Sequence, residues 1–370
     1  MKEDFFEEQL PGSKVKSEIV SSYFRQWANV IMPSAKRNAS KIGYLDFFSG
    51  QGKYDDGSDS TPLLILKSAL SNDGVRDMLV SFFNDKEKSN VEKLEEEIKK
   101  IPNIDKLKYK PVINNVSIGG EVVEQLKKVH LIPSLVFIDP FGYKGLSLEF
   151  IGGAIKDWGC DCIFFFNYNR INAAINNPFM VENVNAIFGK SNADFLRTNT
   201  KNLFPNAREP LVLNTFFQSL KEVKGTFSLK FKFYKKNSNK TSHFLIFVTK
   251  HSLGYKIMKE TMARNCIHSY GIPTYEFHSG NAAVQLDIFN NNPIGALAND
   301  LSSDFSGKQL SVEDIYDNHN IGKPYIKSNY KAALLKLEGD NKIICNPTSN
   351  NRRVILGNLT MGDKVIITFK

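Results

Sequence analysis

Two rhythms of apolar residues alternate along this chain. From about Ser13 to Ile31, Val15, Ile19, Val20, Tyr23, Phe24, Trp27 and Val30 recur at spacings of three and four. That spacing predicts an amphipathic helix, with Pro33 as its stop. Ile42–Phe48 is instead a short run broken only by Asp46, and it reads as a buried strand. A Gly50-Gln51-Gly52 turn follows it. Thr61-Pro62 opens a helix through Leu70, with proline at a tolerated first-turn position. The alternation then repeats. Met78–Phe83, Tyr109–Val116, Ser134–Ile138 and Asp161–Asn167 read as strands. Ser89–Lys100, Gly119–Val129 and Leu146–Lys156 read as the helices between them. Strands alternating with helices predict a parallel sheet in an α/β fold.

Beyond a helical, Asn-rich stretch (Asn172–Leu220) the rhythm changes. Phe227–Tyr234 and His243–Thr249 are two strands joined by the polar turn Lys235-Lys-Asn-Ser-Asn-Lys-Thr-Ser242, a hairpin. A helix follows at Leu253–Arg264. A Rossmann-like parallel sheet closed by an antiparallel hairpin is the ordering of class I methyltransferases. A nicotinamide-binding Rossmann domain does not normally end this way. Asn290-Asn-Asn-Pro-Ile reads as a linker. After it come helical patterns at Ser311–His319 and Lys327–Glu338, a strand at Lys342–Cys345, a polar loop and a last strand at Lys364–Phe369. That is a winged-helix outline. The expected organisation is a helical extension over 1–35, a methyltransferase-like domain over 36–289 and a winged-helix-like domain over 290–370.

Composition narrows the partners. The 370 residues are 42% hydrophobic and 24% charged, ordinary for a globular protein. No apolar run reaches the length of a membrane span, and Met1-Lys-Glu-Asp lacks a signal-peptide layout, so a cytoplasmic protein is expected. The formal net charge is +9. Such an excess suits a polyanion, and equally a solvated basic surface. Cys160 and Cys162 open an apolar strand and lack the Cys-x-x-Cys spacing of zinc sites. No metal site is expected.

Two turns carry the candidate chemistry. Asp46, Gly50 and Gly52 stand where the first strand gives way to its turn. In open α/β sheets a cofactor lies beyond the carboxyl ends of the strands. Glycines admit it without a Cβ clash, and Asp46 is placed to orient an ammonium group. Gly50-Gln-Gly52-Lys-Tyr-Asp-Asp-Gly57 is not Gly-x-Gly-x-x-Gly, which disfavours a dinucleotide. S-adenosylmethionine (SAM) is the cofactor that fits; the alternative is a tight turn that holds no ligand. Asp85, after the second strand, is placed for the ribose hydroxyls or to cap the next helix. Asn115, after the third, suits the adenine edge or a plain turn. The second turn is Asp139-Pro140-Phe141-Gly142. A carboxylate beside a proline carbonyl accepts both hydrogens of an exocyclic amine and aims its lone pair at a methyl group. An aromatic at Phe141 or Tyr143 stacks on a planar acceptor. Lys235, Lys236 and Lys240 in the hairpin turn, Lys327 at the start of the would-be recognition helix, and Arg352-Arg353 in the wing are candidate phosphate contacts.

With these residues in hand, the chain resembles the three-Cys-motif partner protein (TcmP) family. The resemblance rests on the helix around Lys16–Trp27, Tyr44-Leu-Asp-Phe-Phe-Ser-Gly-Gln-Gly-Lys-Tyr54 and Thr61-Pro62. It continues through Ile138-Asp-Pro-Phe-Gly142, Phe247-Val-Thr-Lys-His251 with Met258 and Met262, and Leu310–Phe369. Ser49 and Gln51 stand where the commoner block reads Phe-Ala-Gly-Pro-Gly. The resemblance implies a class I methyltransferase fold, SAM as cofactor, and room for a separate three-Cys-motif protein partner. The sequence therefore leads to a SAM-dependent methyltransferase acting on an exocyclic amine of a nucleic-acid base. The alternatives are a non-catalytic adaptor of the same fold and a methyltransferase of proteins or small molecules.

Overall fold

The structure is a computed structural model and describes residues 11–140, 142, 145–279 and 292–370. It divides into two compact units. Of the described residues, 11–265 and 276–279 belong to the first, and 266–275 and 292–370 to the second.

The first unit is built on β1 (Ile42–Asp46), β2 (Leu79–Asn84), β3 (Val112–Asn114), β4 (Ser134–Ile138), β5 (Asp161–Phe166), β6 (Phe227–Tyr234) and β7 (Thr241–Thr249). The strand Glu276–Phe277 completes an eight-stranded sheet, in the order Glu276–Phe277, β6, β7, β5, β4, β1, β2, β3. β1 to β5 are parallel; β7 is antiparallel to β5, and β6 to β7. All residues of β4 are buried, since strands flank it and helices cover its faces. β3 is shorter than its apolar run. Pro111 has no N–H for the ladder, and Asn115 turns away to bond backbone carbonyls after β2.

Helix α1 spans Pro11–Asn38 and runs through Pro33, which was expected to end it. Pro33 and Asn29 both lie on the exposed side, so the carbonyl left without its N–H partner faces water. On its inner face Ile19, Val20, Tyr23, Phe24 and Trp27 are buried. Each such burial contributes roughly 1.5–3 kcal/mol. Polar contacts fix the position of α1. The Tyr23 hydroxyl donates to Asp161 Oδ2 (2.6 Å), and Gln26 Nε2 donates to Thr261 Oγ1 (2.9 Å). Burial pushes the Asp161 carboxyl up to about 6, against the hydrogen bonds from Thr249 and Tyr23 that pull it down. Tyr23→Phe removes a donor from this buried acid, and chemical denaturation is expected to show a loss of about 1–3 kcal/mol.

The second unit packs the helices Pro293–Asp304, Val312–His319 and Lys327–Gly339 on a three-stranded sheet of Gln309–Ser311, Ile366–Phe369 and Ile343–Asn346. A short hairpin, Val354–Ile355 with Asn358–Leu359, forms the wing. The first of these helices begins where the sequence reads as a linker. Asn292 is its N-cap, accepting from Gly295 N (2.9 Å), and Pro293 is its first residue. An Asn-Pro pair is a helix start as well as a loop signal.

Candidate cofactor and acceptor site

Parallel strands bring their carboxyl ends to one edge of the sheet. Here that edge carries Asp46 at the end of β1, Asp85 just past β2 and Asp139 just past β4. The glycine turn after β1 is tied down by these neighbours. Ser49 N donates to Asn84 O (2.9 Å), and Gly50 N donates to Asp85 Oδ2 (3.0 Å). Asp85 Oδ1 accepts from Glu87 N (2.9 Å) and Asn90 Nδ2 (3.2 Å). The Asp85 carboxylate thus clamps the turn to the start of the helix Lys88–Lys99. Gly52 has φ +88°, and a Cβ there would meet Leu94 Cδ1 at 3.0 Å. The position therefore favours glycine twice over, by conformation and by contact.

Asn115 Nδ2 donates to the carbonyls of Asp85 (2.9 Å) and Lys86 (3.0 Å). Asn84 is not among the candidate site residues read from the sequence. Its Nδ2 donates to Phe47 O (3.1 Å) and Val116 O (2.9 Å), and its Oδ1 accepts from Val116 N (3.0 Å). That one amide latches the loops after β1 and β3 together.

Asp46 is buried, with Oδ1 accepting from Phe48 N (3.1 Å) and Oδ2 from the Tyr44 hydroxyl (3.5 Å). Burial pushes its carboxyl up to about 8; the Phe48 N–H pulls it down, Asp139 pushes it up and Lys16 pulls it down. Among the described residues it forms no ion pair of its own. A cationic ligand amine at this edge would supply the missing charge, so the donor set fits the ammonium of SAM.

Asp139 is paired with Lys16 of α1, the second residue the sequence reading did not single out. Burial disfavours the Lys16 ammonium, but Asp139 chiefly, with Tyr54 and Asp46, raises its pKa above the ordinary lysine value. Its Nζ lies 5.5 Å from the centre of the Phe165 ring. His243 stacks on Phe233 with centroids 4.5 Å apart, and its ring centre is 4.3 Å from that of Phe165. Burial, then Lys16, lowers the His243 pKa to about 3, so the ring is neutral. Pro140 is buried, and Phe141 and Tyr143 lie outside the described residues. Gly142 has φ +99°, and the Arg170 Nη1 is 2.9 Å from where its Cβ would stand.

A cavity of about 240 Å³ lies under the helix Gly120–Lys128, lined by Leu45, Phe47, Phe82 and Val116 among others. It does not border Asp46 or Asp139. Successive side chains of a strand alternate in direction. Leu45 and Phe47 face this cavity, while Tyr44 and Asp46 point to the other side of the sheet.

The basic candidates separate. Lys235, Lys236 and Lys240 are exposed in the β6–β7 turn. Arg353 is also exposed, but Arg352 is turned inward. Its guanidinium pairs with Glu338, and its Nη1 lies 3.0 Å from Met361 Sδ. The expectation of a surface phosphate contact at Arg352 is corrected: a buried arginine needs its carboxylate partner, and Glu338 holds it. Lys327 Nζ is 3.0 Å from Asp363 Oδ2 and 3.9 Å from Glu313 Oε1, so its charge is largely balanced within the unit. Among the described residues no group of three or more His, Cys, Asp or Glu is arranged to hold a metal. No described helix is long and apolar enough to cross a membrane.

Residues 274–350 match the family model of the GMT-like wHTH domain. The second unit is accordingly a winged helix-turn-helix domain, and the first has the large, mainly parallel sheet of class I methyltransferases. Solved structures similar to the chain include protein LPL1258 from Legionella pneumophila str. Philadelphia 1. It is 11% identical, with 65% of this chain and 88% of that one covered and a TM-score of 0.38. The O-methyltransferase from Bacillus cereus in complex with SAH is 11% identical, with 62% and 80% covered and a TM-score of 0.34. No curated protein matches the chain.

Proposed function

We propose that this chain is a SAM-dependent methyltransferase that N-methylates an exocyclic amine of a nucleic-acid base. One observation carries the proposal. Asp139, followed by the buried Pro140, stands at the same sheet edge as Asp46, and Lys16 acts on both carboxyls.

The cofactor, when bound, supplies an electrophilic methyl group. The rest of the chemistry falls to the protein. Asp46 ionises against the cofactor ammonium and fixes that end. The glycine turn lets the backbone approach it. Asp139 and the Pro140 carbonyl accept the two hydrogens of the acceptor amine, which holds the nitrogen lone pair in line with the methyl carbon. As that nitrogen becomes positive, the Asp139 carboxylate stabilises it. The ammonium of Lys16 pairs with Oδ2 of Asp139 and stays in place, so the acceptor amine is received by a carboxylate whose charge is already balanced. The winged helix docks the polymer. For a duplex target the base must leave the stack, at a cost of a few kcal/mol.

Calorimetric titration with SAM, followed by transfer of a labelled methyl group into separated RNA, DNA and protein fractions, tests this. Binding and label in a nucleic-acid fraction are expected. Absence of heat and of a thermal shift at millimolar SAM would sink the cofactor assignment. A second reading, a non-catalytic adaptor, draws on Asp85 and Asp139 both being engaged within the protein. Label in no fraction, together with a stably co-purifying partner protein, would favour it.

A further inference from the structure

We infer that the carboxyl edge of the sheet carries a track for single-stranded nucleic acid, formed by the segment between β5 and β6 together with the β6–β7 turn. The inference rests on the proposed nucleic-acid substrate and specifies how the strand is held beside the acceptor site.

Topology places the parts. β5 runs parallel to β4, so it ends on the same edge as Asp139. β7 is antiparallel to β5, with Phe166 opposite Phe244, so the start of β7 and the end of β6 lie on that edge too. The turn between them holds Lys235, Lys236 and Lys240, all exposed and without an ion pair among the described residues. The chain leaving β5 enters the helix Tyr168–Ala174, whose Asn169 Nδ2 donates to Ser242 O (3.1 Å) and so ties the helix to the turn. On this helix Arg170 is exposed, forms no ion pair among the described residues, and lies against Gly142 of the Asp139 turn. A free guanidinium at that point is placed for a phosphate next to the acceptor nucleotide.

Two aromatic rings extend the same rim. Phe179 is 88% exposed and Phe204 82% exposed, far beyond what a packed phenylalanine shows. Their loops are neighbours. Thr200 Oγ1 lies 3.2 Å from the Asn176 side-chain amide, and Arg208 Nη2 donates to Asn172 O (3.2 Å). The residues bracketing Phe204 are thus bonded to the segment that leads into Phe179. Next to Arg208, Glu209 pairs with Lys232 of β6 (2.8 Å) and accepts from Thr241 of β7, which brings the start of the helix Pro205–Glu222 to the basic turn. Exposed rings beside unpaired cations are the composition of a single-strand site: bases stack on the rings and phosphates meet the cations. A protein partner would call for no such excess of unpaired positive charge.

The test is fluorescence anisotropy of the full chain with a mixed-sequence single-stranded 12-mer, as RNA and as DNA, across a salt series and without cofactor. F179A/F204A is expected to weaken binding about 30-fold or more and to leave the salt slope unchanged. Converting Lys235, Lys236 and Lys240 to Gln should reduce that slope by about 2, at roughly 0.7 per phosphate contact. The control converts Lys106, Lys108 and Lys110 to Gln; these precede β3, on the opposite edge of the sheet. Equal effects from both lysine sets, or binding indifferent to the two phenylalanines, would overturn the track. So would failure of both oligonucleotides to bind at low salt. RNA against DNA is read from the two arms. Track-dependent binding with no methyl transfer sinks the transferase proposal and leaves the track standing; transfer with track-independent binding does the reverse.

Discussion

Asp139→Ala should lower methyl transfer by about 10²–10³-fold or more while cofactor affinity stays within a few-fold of the parent. The reason is geometric. In the proposed mechanism Asp139 accepts the amine hydrogens at the end of β4, whereas Asp46 and the glycine turn hold the cofactor from β1. Removing the carboxylate also leaves the Lys16 ammonium without its partner, so a fall in thermal stability accompanies the change. The double variant Lys16→Met/Asp139→Leu separates the two effects, since leucine has neither charge nor acceptor. It removes both charges together and should restore stability but not transfer. Recovered transfer in the double variant would mean that Asp139 serves only to balance Lys16, and the acceptor-orienting role would fall.

Cofactor binding should release close to one proton at pH 7, and affinity should rise with pH until about pH 8. Asp46, pushed up to about 8 by burial, is mostly protonated at neutral pH. A cationic cofactor needs it ionised, so the proton leaves on binding. Below its pKa each unit of pH lowers affinity about tenfold. Calorimetry in two buffers of different ionisation heat measures the release directly, and Asp46→Asn should abolish it. The same shift acts on folding. The usual unfolded value for Asp is 3.8, so between about pH 4 and 8 the folded chain holds a proton that the unfolded chain has lost. Stability from this group is therefore fullest below pH 4 and declines as pH rises toward 8. Asp46→Asn should flatten that part of the curve. A pH-independent cofactor affinity across 6 to 8 would show that Asp46 does not meet the cofactor.

Much of this architecture is legible because physics writes it locally. Continuous apolar runs mark strands buried on both faces. A parallel sheet sends every strand's end to one edge, so Asp46, Gly50, Gly52 and Asp139 are found by position alone. Lys16 is not found that way. A single lysine on an amphipathic helix looks like any solvated residue, and its partner lies far away in sequence. Only the packing of α1 onto the sheet brings the two together. Arg352 fails in the opposite direction: a basic residue in a wing suggests phosphate, and nothing local reveals that Glu338 draws it inward. The helix Pro293–Asp304 was hidden by its own cap, since Asn and Pro announce a loop and a helix start with the same letters. Asn84 carries no chemical signal at all, and its latch depends on the end of β2 meeting the loops after β1 and β3.

The placement of α1 also bears on how the protein is made. Its buried face is synthesised well before some of its partners: Tyr23 bonds to Asp161 and Gln26 to Thr261. At about 5–20 residues per second, the helix waits roughly ten to fifty seconds for its last partner to leave the ribosome. Through that interval the part of α1 that packs on the helix Ser252–Arg264 stays uncovered. A nascent chain stalled before residue 261 should be a ready client for a ribosome-bound chaperone, and the sheet's first strands should remain unlocked until synthesis passes that point.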